Sequence, residues 1–344
     1  MQIATALDYA DDFRKTVERA RRLEAAGVDM ILIAEAYGFD GVSLLGYLAA
    51  VTERVTLASA ILNTFSRTPA CIAQTAAGLD ALSQGRFVLG LGASGPQVIE
   101  GFHGLPYAQP LRRTQELIEI CRAFWKRERV TYQGEIFELP LPKGRGTGLA
   151  KPLKLINHPL RERIPIYLAS LTPKSVELTA SLAEGWLPFL FAPDLAGRVW
   201  GDALAKGSAR RAPELGPLQV VAGALLAIGP DAAKYREMAR GMAALYIGGM
   251  GAREKNFYND VCRAYGFEAE ARAIQDLYLA GRKQEAAAAV PAALLEKTSL
   301  CGDRGYVKER LAAYREAGVT ILNVSPVAGD AERQIGELRD LIGA

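Results

Sequence analysis

The sequence predicts an α/β fold, a (β/α)8 TIM barrel with insertions. Three observations point to it: short apolar runs alternate with amphipathic helical segments, eight such runs can be counted, and 344 residues is a common length for one such barrel carrying insertions. Gln2 to Leu7 is the first run, followed by Ala10 to Ala26, where Phe13, Val17, Ala20 and Leu23 recur at helical spacing. Gly27 stands where a helix C-cap belongs, and Met30 to Ala34 is too brief to be a helix of its own. The alternation continues with Val42 to Thr52 as helix, Val55 to Ile61 as strand, Pro69 to Ser83 as helix, Phe87 to Leu91 as strand and Leu111 to Arg127 as helix. Such a pattern implies parallel strands joined by right-handed crossovers, either in an open doubly wound sheet or in a closed barrel.

After Trp125 the rhythm breaks. Val130 to Phe137 alternates like a strand, and Pro140 to Pro159 is rich in Gly, Pro and Lys. It resumes with Ile164 to Ala169 as strand, Pro173 to Ala183 as helix, and Gly185 to Leu190 and Leu218 to Ile228 as strands. A second departure, Ala232 to Leu295, holds Ala-rich helical segments on either side of Asn256 to Gly266. Tyr306 to Ala317, Val319 to Val324 and Ala331 to Ile342 close the chain as helix, strand and helix. Eight strand starts favour the closed barrel, read as one domain over 1–344 with insertions at about 128–163 and 232–300.

Half the residues are hydrophobic and 23% are charged, enough for a buried core and no case for disorder. The net charge is +3 with the basic residues dispersed, which argues against a nucleic-acid partner. Cys71, Cys121, Cys262 and Cys301 are far apart, without disulfide-framework or zinc spacing, and the two histidines lack metal-site neighbours. No signal-peptide pattern opens the chain and no apolar stretch reaches the roughly 20 residues of a membrane helix. The expectation is a cytoplasmic protein with a small-molecule substrate and no membrane partner.

In a barrel of this kind the chemistry lies at the C-terminal ends of the strands. After the second strand, Glu35 and Tyr37 are candidates for proton handling or cofactor contact, while Asp40 reads as an N-cap. After the third, small residues let a flat ring approach, and Arg67 can face a phosphate or a carboxylate. After the fourth, Gly90 to Gly95 matches GxGxxG, but at the wrong strand for a dinucleotide fingerprint; it reads as a glycine-rich loop against a cofactor. After the fifth, Ala169-Ser170-Leu171-Thr172-Pro173-Lys174 is either a phosphate-binding helix start or a capping segment. His103, just past the glycine-rich loop, can be an acid, a base or a substrate anchor, whereas His158 reads as loop surface.

Taken together, Ala34 to Gly38, Gly85 to Gln97 and Glu184-Gly185-Trp186 resemble the luciferase-like monooxygenase superfamily, and more narrowly its deazaflavin (coenzyme F420)-dependent oxidoreductase branch. The likeness runs from the first strand through Leu190 and returns in Cys301 to Pro326. The resemblance implies a cofactor ring at the C-terminal mouth, often in a homodimer, and a cis peptide at Ala60-Ile61 beneath the ring. It implies that Ala93, Ser94, Gly95, Pro96 and Gln97 line the ring and ribityl chain, and that Ala169, Ser170, Leu171, Thr172, Pro173 and Lys174 hold the phosphate. Glu35, Ala36 and Asn63 would sit near the ring.

The chain departs from the pattern at Glu35-Ala36, where dehydrogenases of sugar phosphates or alcohols carry Asp-His, and at Thr172, which replaces a common Gly. The expected reaction is hydride transfer between reduced deazaflavin and an electron-poor C=C, C=N, C=O or nitroaromatic substrate, with Glu35, Tyr37 and His103 handling protons. The excursion from Ala232 to Leu295 and the loop around Tyr107 are expected to cover the substrate. A reduced-FMN monooxygenase and a non-catalytic cofactor-binding barrel are the alternatives. A cofactor-free binding or structural barrel is a further alternative, and Gly92 to Gly95 with Thr172-Pro173-Lys174 speaks against it.

Overall fold

The structure, a computed structural model, describes residues 1–343. Its eight barrel strands are β1 (Gln2–Leu7), β2 (Met30–Ile33), β3 (Thr56–Ser59), β4 (Phe87–Gly92), β5 (Ile166–Ala169), β6 (Gly185–Leu187), β7 (Gln219–Ile228) and β8 (Ile321–Pro326). Each pairs in parallel with the next, and β8 returns to β1 through Gln2 opposite Ile321, so the sheet is closed. The helices that follow the strands are α1 (Phe13–Ala25), α2 (Gly41–Val51), α3 (Pro69–Leu82), α4 (Pro110–Trp125), α5 (Pro173–Leu182), α6 (Pro193–Ser208), α7 (Arg304–Glu316) and α8 (Ala331–Gly343).

Alternation along the strands turns every second side chain into the barrel. Ala4, Met30, Leu32, Ala58, Val88, Tyr167, Val221 and Ile321 form a buried cluster there. Toward the strands' C-terminal ends the inward positions shrink to Ala60, Gly92, Ala169 and Gly223, which opens the mouth. Outside, the helices bury their apolar faces on the sheet in one large core that includes Trp125, Trp186 and Trp200.

Three elements differ from the sequence expectation. Helix α6 is unforeseen, because Gly197, Gly201 and Gly207 lower its intrinsic propensity. Gly207 shows what the glycine allows: a Cβ there would lie 2.4 Å from the Glu177 carbonyl of α5. Ser299–Gly302 is a further parallel strand, paired with Leu225–Ile228. It has room because ten-residue β7 outruns three-residue β6, which pairs only with Gln219 and Val220. The stretch Val130 to Phe137 is not one strand; Tyr132–Gln133 and Glu138–Leu139 form an antiparallel hairpin. Its turn is held by Glu116, which accepts the backbone N–H groups of Glu135, Ile136 and Phe137 at 2.7, 3.0 and 2.9 Å.

The excursion between β7 and Ser299–Gly302 is helical, and it includes Phe257–Ala264, capped by the Asn256 side chain on the N–H groups of Tyr258 and Asn259. Among the described residues no helix is long and apolar enough to cross a membrane.

Candidate functional site

Four adjacent strand ends, β2 to β5, form one wall of the mouth. Glu35, directly after β2, is clamped by Arg67: Nη1 donates to Oε1 at 2.6 Å and Nη2 to Oε2 at 2.8 Å. The Gly41 N–H donates to Oε2 at 2.9 Å. The paired carboxylate holds the Arg67 guanidinium above its ordinary pKa. Of the two partners foreseen for Arg67, the structure thus assigns it a carboxylate, and both oxygens of Glu35 are occupied. Asp40 caps α2 by accepting the Ser43 N–H, as its position suggests. Tyr37 is 65% exposed at the rim.

The Ala60-Ile61 peptide is cis, as the resemblance implies. Beyond it Leu62–Asn63 rejoins the sheet against Leu91 and Gly92 of β4. Close approach explains the glycines here: a Cβ on Gly90 would lie 1.7 Å from the Ser59 carbonyl oxygen, and one on Gly92 would lie 2.9 Å from Cγ1 of Ile61. Gly90 and Gly92 are therefore strand residues packed against β3, and the loop proper begins at Ala93. Ser94 takes a left-handed φ of 56°, and its carbonyl accepts the Tyr107 hydroxyl at 3.1 Å. The Tyr107 ring stacks on Phe65 at 5.3 Å, and Lys255 of the excursion reaches within 5.9 Å of it. The excursion thus meets the Tyr107 loop, which the sequence names as its companion.

The segment after β5 is fixed from behind. The Trp186 indole N–H donates to the Ser170 carbonyl at 2.9 Å, and that of Trp200 donates to the Leu171 carbonyl at 2.7 Å. The Ser170 hydroxyl is buried and shares a hydrogen bond with the Thr179 hydroxyl at 2.8 Å, so its side chain is turned inward. Thr172 is the N-cap of α5, accepting the Ser175 N–H at 3.3 Å. Pro173 and Lys174 are exposed; Pro173 has no N–H and the Ser175 N–H is taken by Thr172, so in the first turn the Lys174 N–H is left without an intrahelical acceptor. Of the two readings of this segment, the geometry displays the cap.

Asn63 and His103 come together: Nδ2 of Asn63 lies 3.2 Å from Nε2 of His103. His103 borders a cavity of about 280 Å3 lined also by Glu35, Ala36, Ser66, Arg67 and Phe102. A larger groove of about 410 Å3 lies on the outer wall between α6 and α7, where Asp194 is paired with Arg310 at 2.9 Å.

The opposite side of the mouth is aromatic. Phe189, after β6, packs against Tyr246 and Tyr258 of the excursion with centroids 4.2 and 5.5 Å away. Burial, then the neighbouring phenols of Tyr9 and Tyr37, pushes the Tyr246 pKa up, so that phenol stays protonated at neutral pH. Tyr9 is raised by burial and by Tyr37 in the same way.

Residues 1–320 match the family described as luciferase-like monooxygenase. The chain belongs to that family. It is similar to Rv3520c of Mycobacterium tuberculosis, named by inference as a coenzyme F420-dependent oxidoreductase, at 40% identity over 99% of each chain. It is also similar to the 5,10-methylenetetrahydromethanopterin reductase of Archaeoglobus fulgidus, at 28% identity over 91% of this chain and 90% of the relative. The solved coenzyme F420-dependent tetrahydromethanopterin reductase of Methanopyrus kandleri superposes with a TM-score of 0.80 at 20% identity, covering 98% of this chain and 96% of that one, and so shares its fold.

In this luciferase-like chain the Glu184-Gly185-Trp186 motif is structural. Glu184 binds Arg122 and Arg163 at 3.1 and 2.8 Å, and a Cβ on Gly185 would lie 2.4 Å from the Tyr167 ring. Sequence reasoning missed Tyr9, Phe189, Tyr246 and Tyr258, whose only signal was aromatic residues beside strand ends or in the excursion.

Proposed function

We propose that this chain is a coenzyme F420-dependent oxidoreductase passing hydride between the reduced deazaflavin and a small organic substrate with an electron-poor double bond. The observation that carries the reading is the wall from β2 to β5. Ala36, Ala60, Ala93 and Ala169 end at Cβ on four adjacent strands, and a Cβ on Gly92 would touch Ala169 at 3.4 Å as well as Ile61. A surface of small residues at those strand ends, with only the apolar Ile61 between β3 and β4, suits a flat ring, so the residues present fit the cofactor. The named relatives support the deazaflavin over FMN.

When bound, the deazaflavin supplies the hydride. The protein's residues do the rest. Ala60 and Ile61 would lie under the ring, and Ala93, Ser94, Gly95, Pro96 and Gln97 would line its edge and the ribityl chain. Ala169 to Lys174 would hold the tail phosphate through backbone N–H groups and the Lys174 ammonium, with Ser170 contributing no hydroxyl. Glu35, committed to Arg67 and Gly41, acts as a fixed acceptor that shapes the wall, not as a mobile proton donor. Tyr37 and His103 are the residues left to meet the substrate.

The homodimer and the cytoplasmic location implied earlier belong to the same proposal. Four unpaired cysteines support a reducing compartment, and sedimentation velocity tests the dimer. For the reaction itself, reduced F420 is mixed anaerobically with the protein and a panel of enones, imines and nitroaromatics. Protein-dependent return of the oxidised coenzyme's visible absorbance is expected with at least one acceptor. Oxygen uptake with reduced FMN, yielding a hydroxylated product, would instead establish the monooxygenase.

A further inference from the structure

We propose that Asn63 is a positioning residue that holds neutral His103 in the tautomer with its proton on Nδ1, so that the imidazole meets the substrate as a hydrogen-bond donor. The role toward substrate rests on the functional reading above; the tautomer does not.

The orientation of the Asn63 amide is fixed by the backbone. Its Oδ1 accepts the N–H groups of Phe65 at 3.0 Å and Ser66 at 2.7 Å. A flipped amide would set its NH2 group against two donors. Nδ2 therefore faces Nε2 of His103, and because an amide nitrogen only donates, Nε2 must present its lone pair. In the neutral ring the proton is then on Nδ1.

Neither partner is placed loosely. Asn63 is 5% exposed and pairs with Gly92 in the sheet, while the backbone N–H of His103 donates to the Val98 carbonyl at 3.2 Å. The Phe102 ring meets the imidazole edge-on at 5.1 Å. Among the described residues Nδ1 has no partner in the protein, and His103 borders the mouth cavity. Of the charged groups lining that cavity, Glu35 and Arg67 are spent on each other and Asp40 on Ser43.

An N–H donor at this point selects a substrate whose reducible bond carries or is conjugated to an acceptor heteroatom: a carbonyl, imine or nitro group. Its hydrogen bond polarises that bond. Hydride adds to carbon, a proton from solvent water reaches the heteroatom, and His103 keeps its own proton.

The chain has two histidines, so 15N-histidine labelling of His158→Gln leaves one imidazole to observe. At a pH where the ring is neutral, the expected spectrum has a pyrrole-type Nδ1 and a pyridine-type Nε2. A protonated Nε2 would overturn the proposal.

Asn63→Asp retains an acceptor for Phe65 and Ser66 but turns a second oxygen toward His103. It should move the proton to Nε2 and lower kcat/KM at least tenfold, measured with the protein saturated with coenzyme. A switched tautomer with unaltered kcat/KM would refute the substrate role. If no acceptor oxidises the reduced coenzyme with either protein, the functional reading fails, while the nitrogen shifts still decide the tautomer.

Discussion

The two sides of the barrel mouth are built from different materials. From β2 to β5 the wall is mostly backbone and small residues, backed by the Glu35–Arg67 and Asn63–His103 pairs: Gly92 leaves no room for a side chain against Ile61, and alanines end the neighbouring strands. From β6 round to β1 the wall is rings, with Phe189, Tyr246 and Tyr258 packed together and Tyr9 nearby. The first shape is dictated by close strand approach and changes only if the sheet moves. The second is carried by side chains on a long excursion and can change without rebuilding the barrel. Holding a cofactor ring and choosing a substrate are thus separable tasks.

The largest expected effect comes from breaking the charge pair inside the first wall. Arg67→Met leaves the Glu35 carboxylate, 8% exposed, without its cation. Removing one partner of a buried pair costs about 3 kcal/mol, and urea denaturation should record it. Next, Gly92→Val forces a side chain onto Ile61; coenzyme affinity should fall about 100-fold, or ~2.7 kcal/mol, with the circular dichroism spectrum retained.

On the other side, Tyr246→Ala removes one ring of the cluster and should raise KM about tenfold while leaving the coenzyme Kd unchanged. A change in coenzyme Kd there would erase the distinction between the two walls.

The smallest effect serves as a control away from both. Burial raises the Glu116 carboxyl pKa, but three backbone N–H donors and Arg112 outweigh it and leave it below the usual carboxylate range. A lowered folded-state value gives stability that is present above the unfolded pKa of about 4.3 and lost as pH falls through the folded value. Glu116→Gln should lower stability at pH 7 by about 1 kcal/mol and flatten its decline on acidification, with both walls' binding unaltered.

The barrel was legible because short apolar runs and 3.6-residue periodicity are local signals, and all eight barrel strands overlap the runs that announce them. Helix α6 and Ser299–Gly302 were hidden for opposite reasons. Glycines serving close packing mask the helix, while four residues beside an unpaired stretch of β7 carry no periodicity at all. In the site, what lay within one loop could be read: the Asp40 cap, and the Thr172 cap as one of two alternatives. The pairs that define the chemistry could not, since Glu35 and Arg67 are 32 residues apart and Asn63 and His103 are 40. Only adjacency of strand ends brings them within hydrogen-bond distance.

The most direct test of the two-wall account is a fluorescence titration of oxidised F420, and separately of FMN, into wild-type protein, Gly92→Val and Tyr246→Ala. The account predicts equal F420 affinity for wild type and Tyr246→Ala, a loss of about 100-fold for Gly92→Val, and weaker FMN binding throughout. Tight FMN binding without F420 binding, or a Gly92→Val protein that binds F420 like wild type, would contradict it.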